Sequence, residues 1–310
     1  MKTFLISGAA GFIGSFLVDN YLKKGNRVIA VDNLSTGNIV NLKNALDNSN
    51  FKFINKDIID LVDIDEKVDY ILHFASPASP LDYMNLPIET LRVGSIGTEN
   101  LLKIALKNKS TILLASTSEI YGDPLEHPQN ENYYGNVNSF GPRVVYDEAK
   151  RYLEAIGYAY LNKYKIDLKI ARIFNTYGPR MKINDGRAIP TFLNQLLNDE
   201  DFTVFGDGMQ TRSFCYVSDT ILGIDKLLNS NYNSPVNIGN PNEITLIDLI
   251  NQIKKLKKSS NKVVYKKLPI NDPMKRKPDI SLAKKILNWE PIISLDYGLD
   301  KTFNYFKKIK

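Results

Sequence analysis

Cysteine and histidine are almost missing from this chain of 310 residues. Cys215 is the only cysteine, which excludes an internal disulfide and a thiolate metal site. His73 and His127 are the only histidines, so neither a histidine-based triad nor a zinc centre is expected, and no metal is assigned. No apolar run is long enough to cross a membrane, and repeats and low-complexity tracts are absent. Met1-Lys2-Thr3 leads straight into a strand pattern without signal-peptide character, so a cytoplasmic protein with no membrane partner is expected. The formal charge of +6 comes mostly from dispersed lysines. The denser groups, Lys254-Lys255-Leu256-Lys257-Lys258 and Lys307-Lys308-Ile309-Lys310, fall on amphipathic or terminal segments and read as solvated faces, not as a nucleic-acid surface. A positive bias also suits a phosphate-bearing substrate.

Present instead is a regular alternation of apolar strands and helical spacings. Residues 3–7, 27–31, 51–55, 70–74, 111–116 and 168–174 read as strands. Helical patterns over 12–24, 89–108 and 146–163 fall between them. This alternation predicts an α/β fold, a doubly wound parallel-sheet Rossmann domain. After Gly178-Pro179 the Gly and Pro punctuation thickens, and short helices are expected at 189–199, 245–257 and 281–288. The expected organisation is a Rossmann domain over 1–178 and a smaller α/β C-terminal substrate lobe over 179–310. A return segment near 213–240 rejoins the first domain through a strand at 236–239.

The first turn reads Gly8-Ala9-Ala10-Gly11-Phe12-Ile13-Gly14 and sits between a strand and a helix. Glycines there permit the tight turn, and the helix N-terminus offers N–H groups to a pyrophosphate. Asp32, 18 residues after Gly14 and ending the second strand, can accept hydrogen bonds from ribose hydroxyls and would repel a 2′-phosphate. The expected cofactor is therefore NAD, with Asn33 beside Asp32. Asp57 and Ile58 after the third strand are placed at the adenine edge, or in a plain turn.

The fifth strand ends in Ser116-Thr117-Ser118-Glu119-Ile120-Tyr121-Gly122, on the side of the sheet where ligands collect. Tyr146 and Lys150 stand four apart and so share one helix face. An ammonium beside a phenol favours the phenolate, letting a group that titrates near pH ~10 serve as a base near neutrality. With the Thr117 hydroxyl near the Tyr146 phenol, the expected chemistry is proton removal from an alcohol coupled to hydride transfer.

Together these motifs resemble the extended short-chain dehydrogenase/reductase superfamily acting on nucleotide sugars, and within it the UDP-glucuronate decarboxylases. The resemblance runs through Ala75-Ser76-Pro77-Ala78-Ser79-Pro80 with Tyr83, Ser116 to Pro124, His127-Pro128-Gln129, Gly141-Pro142-Arg143, Ala171 to Met181, Asp185-Gly186-Arg187, Gln210-Thr211-Arg212 and Arg276 to Ile280. It covers nearly the whole chain.

The resemblance implies a redox-neutral conversion of UDP-glucuronate to UDP-xylose through a 4-keto-pentose. Tyr146 is then the base, Lys150 its pKa-lowering neighbour and ribose ligand, and Thr117 a hydrogen-bond partner of the reacting oxygen. Glu119 is tied to the decarboxylation half, either disfavouring the bound carboxylate or helping to protonate C5. Arg143 and Arg276 are expected at the sugar carboxylate or the phosphates. Ser118, Asn175, Arg187, Gln210 and Arg212 are expected on the substrate. A homodimer is implied, with Leu101, Leu102 and Ile104 compatible with its helical interface. Alternatives are a UDP-sugar 4-epimerase, which shares Thr117, Tyr146 and Lys150, and a decarboxylase that releases the 4-keto-pentose and NADH. Ser118 argues against a 4,6-dehydratase, which needs an acid there. Departures from the family pattern are Gly94 in place of Asn, Ala149 in place of Gly and Tyr134 in place of Trp.

Overall fold

The structure, a computed structural model, describes residues 1–141, 144–267 and 275–310. The chain opens with β1 (Thr3–Ser7), α1 (Phe12–Lys23), β2 (Arg27–Asp32), β3 (Phe51–Asn55) and β4 (Tyr70–His73). Next come α2 (Pro80–Asn85), α3 (Pro87–Arg92), a π turn at Val93–Gly97 and α4 (Thr98–Asn108). β5 (Thr111–Thr117), a 3-10 turn at Ser118–Tyr121, α5 (Val144–Tyr164) and β6 (Leu168–Ile173) complete this half. The remainder contains β7 (Thr176–Tyr177), α6 (Ala188–Leu197), β8 (Phe202–Phe205), β9 (Thr211–Ser213), β10 (Cys215–Tyr216) and α7 (Val217–Leu228). β11 (Pro235–Ile238), β12 (Glu243–Thr245), α8 (Leu246–Lys255), β13 (Val263–Lys266), β14 (Lys275–Arg276), α9 (Ser281–Leu287) and α10 (Leu295–Ile309) follow.

Seven strands form one parallel sheet in the order β11-β6-β5-β4-β1-β2-β3. Alternation along each strand divides its residues between the two faces. Phe4 and Ile6 pack with Leu17 and Val18 of α1 and Ile224 of α7, whereas Leu5 packs with Leu101 and Leu102 of α4 and Leu153 of α5. Each Leu or Ile buried this way stabilises the fold by about 1.5–3 kcal/mol relative to leaving it exposed. A third core, built from Phe192, Leu193, Phe202, Leu249, Ile253, Leu299 and Phe306, joins α6, β8, α8 and α10.

The helical stretch expected over 89–108 is interrupted, and the reason is close packing. A Cβ at Gly94 would lie 2.8 Å from the Cβ of Ala149, and one at Gly97 would lie 2.6 Å from Ile58 Cδ1. A π turn accommodates that contact with a single widened turn. Leu101, Leu102 and Ile104, expected as candidates for a dimer face, are instead buried beneath the sheet.

Candidate functional site

A cleft of about 1010 Å³ runs along the carboxyl ends of β1, β4 and β5 and is walled on its other side by residues after β6. At one end lies the glycine turn. Gly8 adopts a left-handed φ of +68°, and a Cβ there would lie 2.6 Å from Ala75 N. A Cβ at Gly14 would lie 2.0 Å from Gly8 O, so helix and loop meet only without side chains. α1 has Gly11 as its N-cap and no side-chain cap. Its first-turn N–H groups and the positive end of its dipole therefore face the cleft, a cradle that fits a dinucleotide pyrophosphate.

At the chemical end the ring of Tyr146 is buried and stacks on Tyr83, with centroids 5.2 Å apart and planes 12° from parallel. Burial and the Glu119 carboxylate hold the Tyr146 phenol well above its ordinary pKa, while a hydrogen bond with Thr117 and the Arg187 guanidinium pull it down. Lys150 Nζ donates to Ala115 O at 2.9 Å and lies 5.8 Å from the Tyr146 ring centroid. Burial lowers Lys150 to about 8. The sequence reading of Tyr146 as a phenol drawn down by its lysine is thus corrected. The groups that favour its phenolate are Thr117 and Arg187, and burial outweighs them.

Thr117 Oγ1 accepts the N–H of Glu119 at 3.3 Å, which caps the 3-10 turn and fixes Glu119 beside the strand end. The Glu119 carboxylate accepts a short hydrogen bond from Arg276 Nη1, while Nη2 donates to Gly122 O at 3.0 Å. β14 pairs with β9 so that Arg276 stands beside Arg212. Arg276 Nε and Gln210 Oε1 are buried polar atoms without a hydrogen-bond partner among the described residues, and both residues line the cleft. Buried polar groups are ordinarily satisfied, so these atoms fit a polar ligand. Arg187 is gripped by both oxygens of Asp185.

Of the residues singled out in the sequence, Gly8, Gly11, Phe12, Ile13, Gly14, Thr117, Ser118, Glu119, Tyr146, Lys150, Asn175, Arg187, Gln210, Arg212 and Arg276 all line this cleft. Arg143 lies outside the described residues. Asp32, Asn33, Asp57 and Ile58 stand behind the lining. Asp32 is buried and accepts the N–H groups of Ala10 at 2.9 Å and Leu34 at 2.8 Å. Asn33 donates to Asp57 at 2.7 Å, and Asp57 caps the turn at Ile59. Ile58 belongs to the core under Gly97. The sequence reading missed Ser35, Asn41, Tyr83, Arg180 and Tyr305, which line the cleft. Tyr83 carried a signal, since an aromatic close after a Pro-rich strand exit is well placed to cover the site. Arg180 stands in the Ala171 to Met181 stretch of the resemblance, but its pairing with Asp19 at 2.5 Å, a contact 161 residues away, is not written in its own neighbourhood.

A parallel sheet with this glycine turn, and a Tyr–Lys helix facing the end of β5, defines the class: an extended short-chain dehydrogenase/reductase. The chain belongs to the family whose model is described as GDP-mannose 4,6 dehydratase, matched over residues 5–302, and within it to the UDP-glucuronic acid decarboxylases. It is 48% identical to UDP-glucuronic acid decarboxylase 1 of Xenopus tropicalis over 99% of this chain and 72% of that one. It is 45% identical to UDP-glucuronic acid decarboxylase 1 of Arabidopsis thaliana over 98% of this chain and 69% of that one. Among solved structures, UDP-glucuronic acid 4-epimerase of Bacillus cereus, in complex with UDP-glucuronic acid and NAD, aligns with a TM-score of 0.89 at 28% identity, covering 99% of this chain and 100% of that one.

Proposed function

We propose that this protein converts UDP-glucuronate to UDP-xylose by NAD-dependent decarboxylation through a UDP-4-keto-pentose, with no net redox change. The observation that carries this reading is the convergence of Thr117, Tyr146 and Lys150 with the Glu119–Arg276 pair at one strand end. Thr117 and Tyr146 hold the sugar's C4 hydroxyl, and the Tyr146 phenolate takes its proton. NAD, held along the Gly8–Gly14 turn, would supply the hydride acceptor for oxidation at C4 and the hydride donor for the final reduction. The 4-ketone stands β to the C6 carboxylate, so carbon dioxide leaves and the C5–C6 bonding pair passes into the enolate. Protonation at C5 follows, and Tyr146 returns its proton to the C4 oxygen. Glu119 acts in the decarboxylation half, against the carboxylate or as a proton donor to C5, and Arg276 beside it engages an anionic group of the substrate. Lys150 holds the nicotinamide ribose.

The lobe over 179–310 takes the nucleotide sugar through Arg187, Gln210 and Arg212, with Asn175 and Ser118 completing the pocket. The dinucleotide lies along Gly8–Gly14, with Asp32 at the ribose and Asn33, Asp57 and Ile58 behind the adenine. We also place the protein in the cytoplasm as a homodimer. A single cysteine, buried and with its thiol pushed up to about 12, suits a reducing compartment. Exposed Ile88, Leu91, Ile96, Tyr152 and Tyr158 on α3, the π turn and α5 supply an apolar face for a second copy; light scattering that returns the mass of a monomer refutes it.

Proton NMR of the purified protein with UDP-glucuronate and NAD tests the reaction. UDP-xylose without accumulating NADH is the expected result. UDP-galacturonate would instead establish a 4-epimerase, the activity named for the Bacillus cereus enzyme. A 4-keto-pentose with stoichiometric NADH would establish the oxidative decarboxylase.

A further inference from the structure

His73 ends β4 fully inside the protein, and the mechanism above gives it no part. Its Nδ1 lies 2.9 Å from Ser7 Oγ, and its Nε2 lies 3.1 Å from Thr98 Oγ1. Both hydroxyls are buried and both are committed further along. Thr98 Oγ1 donates to Gly94 O at 2.8 Å, and Ser7 Oγ accepts the N–H of Ala75 at 3.4 Å. Gly94 in turn rests on Ala149, the residue before Lys150.

We propose that His73 is a positioning residue: a neutral Nε2–H imidazole whose two hydrogen bonds lock the strand ends beside the glycine turn to the π turn that seats the Tyr146–Lys150 helix. The proton order follows from the ends of the chain of contacts. Gly94 O can only accept, so the Thr98 hydroxyl proton points at it, and Thr98 Oγ1 must accept from Nε2–H. Nδ1 is then the bare nitrogen and accepts the Ser7 hydroxyl proton, leaving a Ser7 lone pair for Ala75 N–H. All five groups are satisfied in one direction only, and a reversed tautomer would leave Nε2 and Thr98 Oγ1 with no proton between them. Burial and the neighbouring Lys150 charge hold the ring down to about 3, so it stays neutral. The glycine turn and the Lys150 helix are thereby registered to each other through uncharged atoms, which leaves Lys150 as the local cation. The kinetic consequence rests on the reaction proposed above; the tautomer and the lock do not.

Long-range 1H–15N spectra of the imidazoles test it, in a protein with two histidines and with His127→Asn as the assignment control. The His73 ring is expected to keep the neutral Nε2–H pattern from about pH 5 to about pH 9, with at most a small change as Lys150 loses its charge. A ring that titrates in that window, or carries its proton on Nδ1, overturns the proposal. In Thr98→Val, amide exchange at Ala75, at the far end of the relay, should quicken about tenfold, and Thr98→Ser should restore it. Unchanged exchange at Ala75 would reduce Thr98 to a local helix residue and sink the lock. In single turnovers, Thr98→Val should slow reduction of bound NAD by UDP-glucuronate about tenfold, ~1.4 kcal/mol in the barrier, with substrate affinity unchanged. Wild-type rates in that variant refute positioning. If the wild-type protein itself leaves NAD oxidised, the functional reading fails while the spectra still decide the relay.

Discussion

Gly94 and Ala149 close the gap between the π turn and the helix of Tyr146 and Lys150. A Cβ added at Gly94 would sit 2.8 Å from Ala149 Cβ and 2.9 Å from Ala149 O. Both positions depart from the family pattern in the sequence, and the structure makes them one contact. Gly94→Ala is therefore expected to destabilise the protein by about 1–3 kcal/mol through overpacking. Pairing it with Ala149→Gly should recover only part of the loss, because the Ala149 carbonyl stays in place. Denaturant unfolding of the two single variants and the double variant measures this coupling, and additive losses would show that the contact does not matter.

Tyr146→Phe keeps the ring that stacks on Tyr83 and removes only the hydroxyl. Turnover should fall by about 10²–10⁴-fold with the melting temperature nearly unchanged. A variant that keeps more than a tenth of wild-type turnover would remove Tyr146 from the proton-transfer step.

The Glu119 carboxylate raises the Tyr146 phenol, and Thr117 lowers it. Removing the negative charge must favour the phenolate, so Glu119→Gln should move the basic ionisation seen in hydride transfer to lower pH. Thr117→Val should move it to higher pH. Single-turnover NAD reduction across a pH series reads both shifts. Movement in the same direction for the two variants would contradict the charge arrangement around the phenol.

Lys150 carries its charge where burial opposes it, and its pKa falls from 10.5 to about 8. Between those values the unfolded chain binds a proton that the folded protein has released, so this group makes stability rise with pH across that window. Below it, the buried ammonium costs about 3 kcal/mol. Lys150→Met should thus abolish turnover yet raise the melting temperature at pH ~7, with the gain shrinking as pH climbs from about 8 and gone by about 10.5. Thermal scans at the two pH values test the sign, and a loss of stability at neutral pH would mean that the bond to Ala115 O outweighs desolvation.

Arg172 and Glu154 form a largely buried ion pair at 2.8 Å, and Glu154 also accepts from Ser116 Oγ at 2.5 Å. Glu154→Gln leaves a guanidinium without its countercharge behind β5 and β6. A loss of about 3–5 kcal/mol is expected, read from the urea midpoint.

Much of this was legible in the chain. The strands of the sheet announce themselves because residues buried on both faces must be apolar throughout, as in Phe4-Leu5-Ile6 and Ile112-Leu113-Leu114. The glycine turn and the Tyr146–Lys150 spacing are local geometry, and local geometry is written locally. Contacts between distant segments are not. Glu119 and Arg276 meet across 157 residues, and neither sequence neighbourhood specifies the other. Gly94 and Gly97 reveal a π turn only once their partners, Ala149 and Ile58, are in place. Tyr146 looked like a phenol poised by its lysine because spacing gives proximity but not burial, and here burial dominates.

The outer edge of the parallel sheet is β11, Pro235–Ile238, paired with β6. More than sixty residues of α6, β8 and α7 intervene between the two strands. A ribosome therefore delivers the last strand of the parallel sheet only after α6, β8 and α7 have emerged. Until then β6 presents a bare row of amides and carbonyls to any other chain nearby. Nascent chains arrested before residue 235 should remain protease-sensitive at β6, and those arrested well past residue 238 should not; equal sensitivity in both would show that the platform closes without its edge strand.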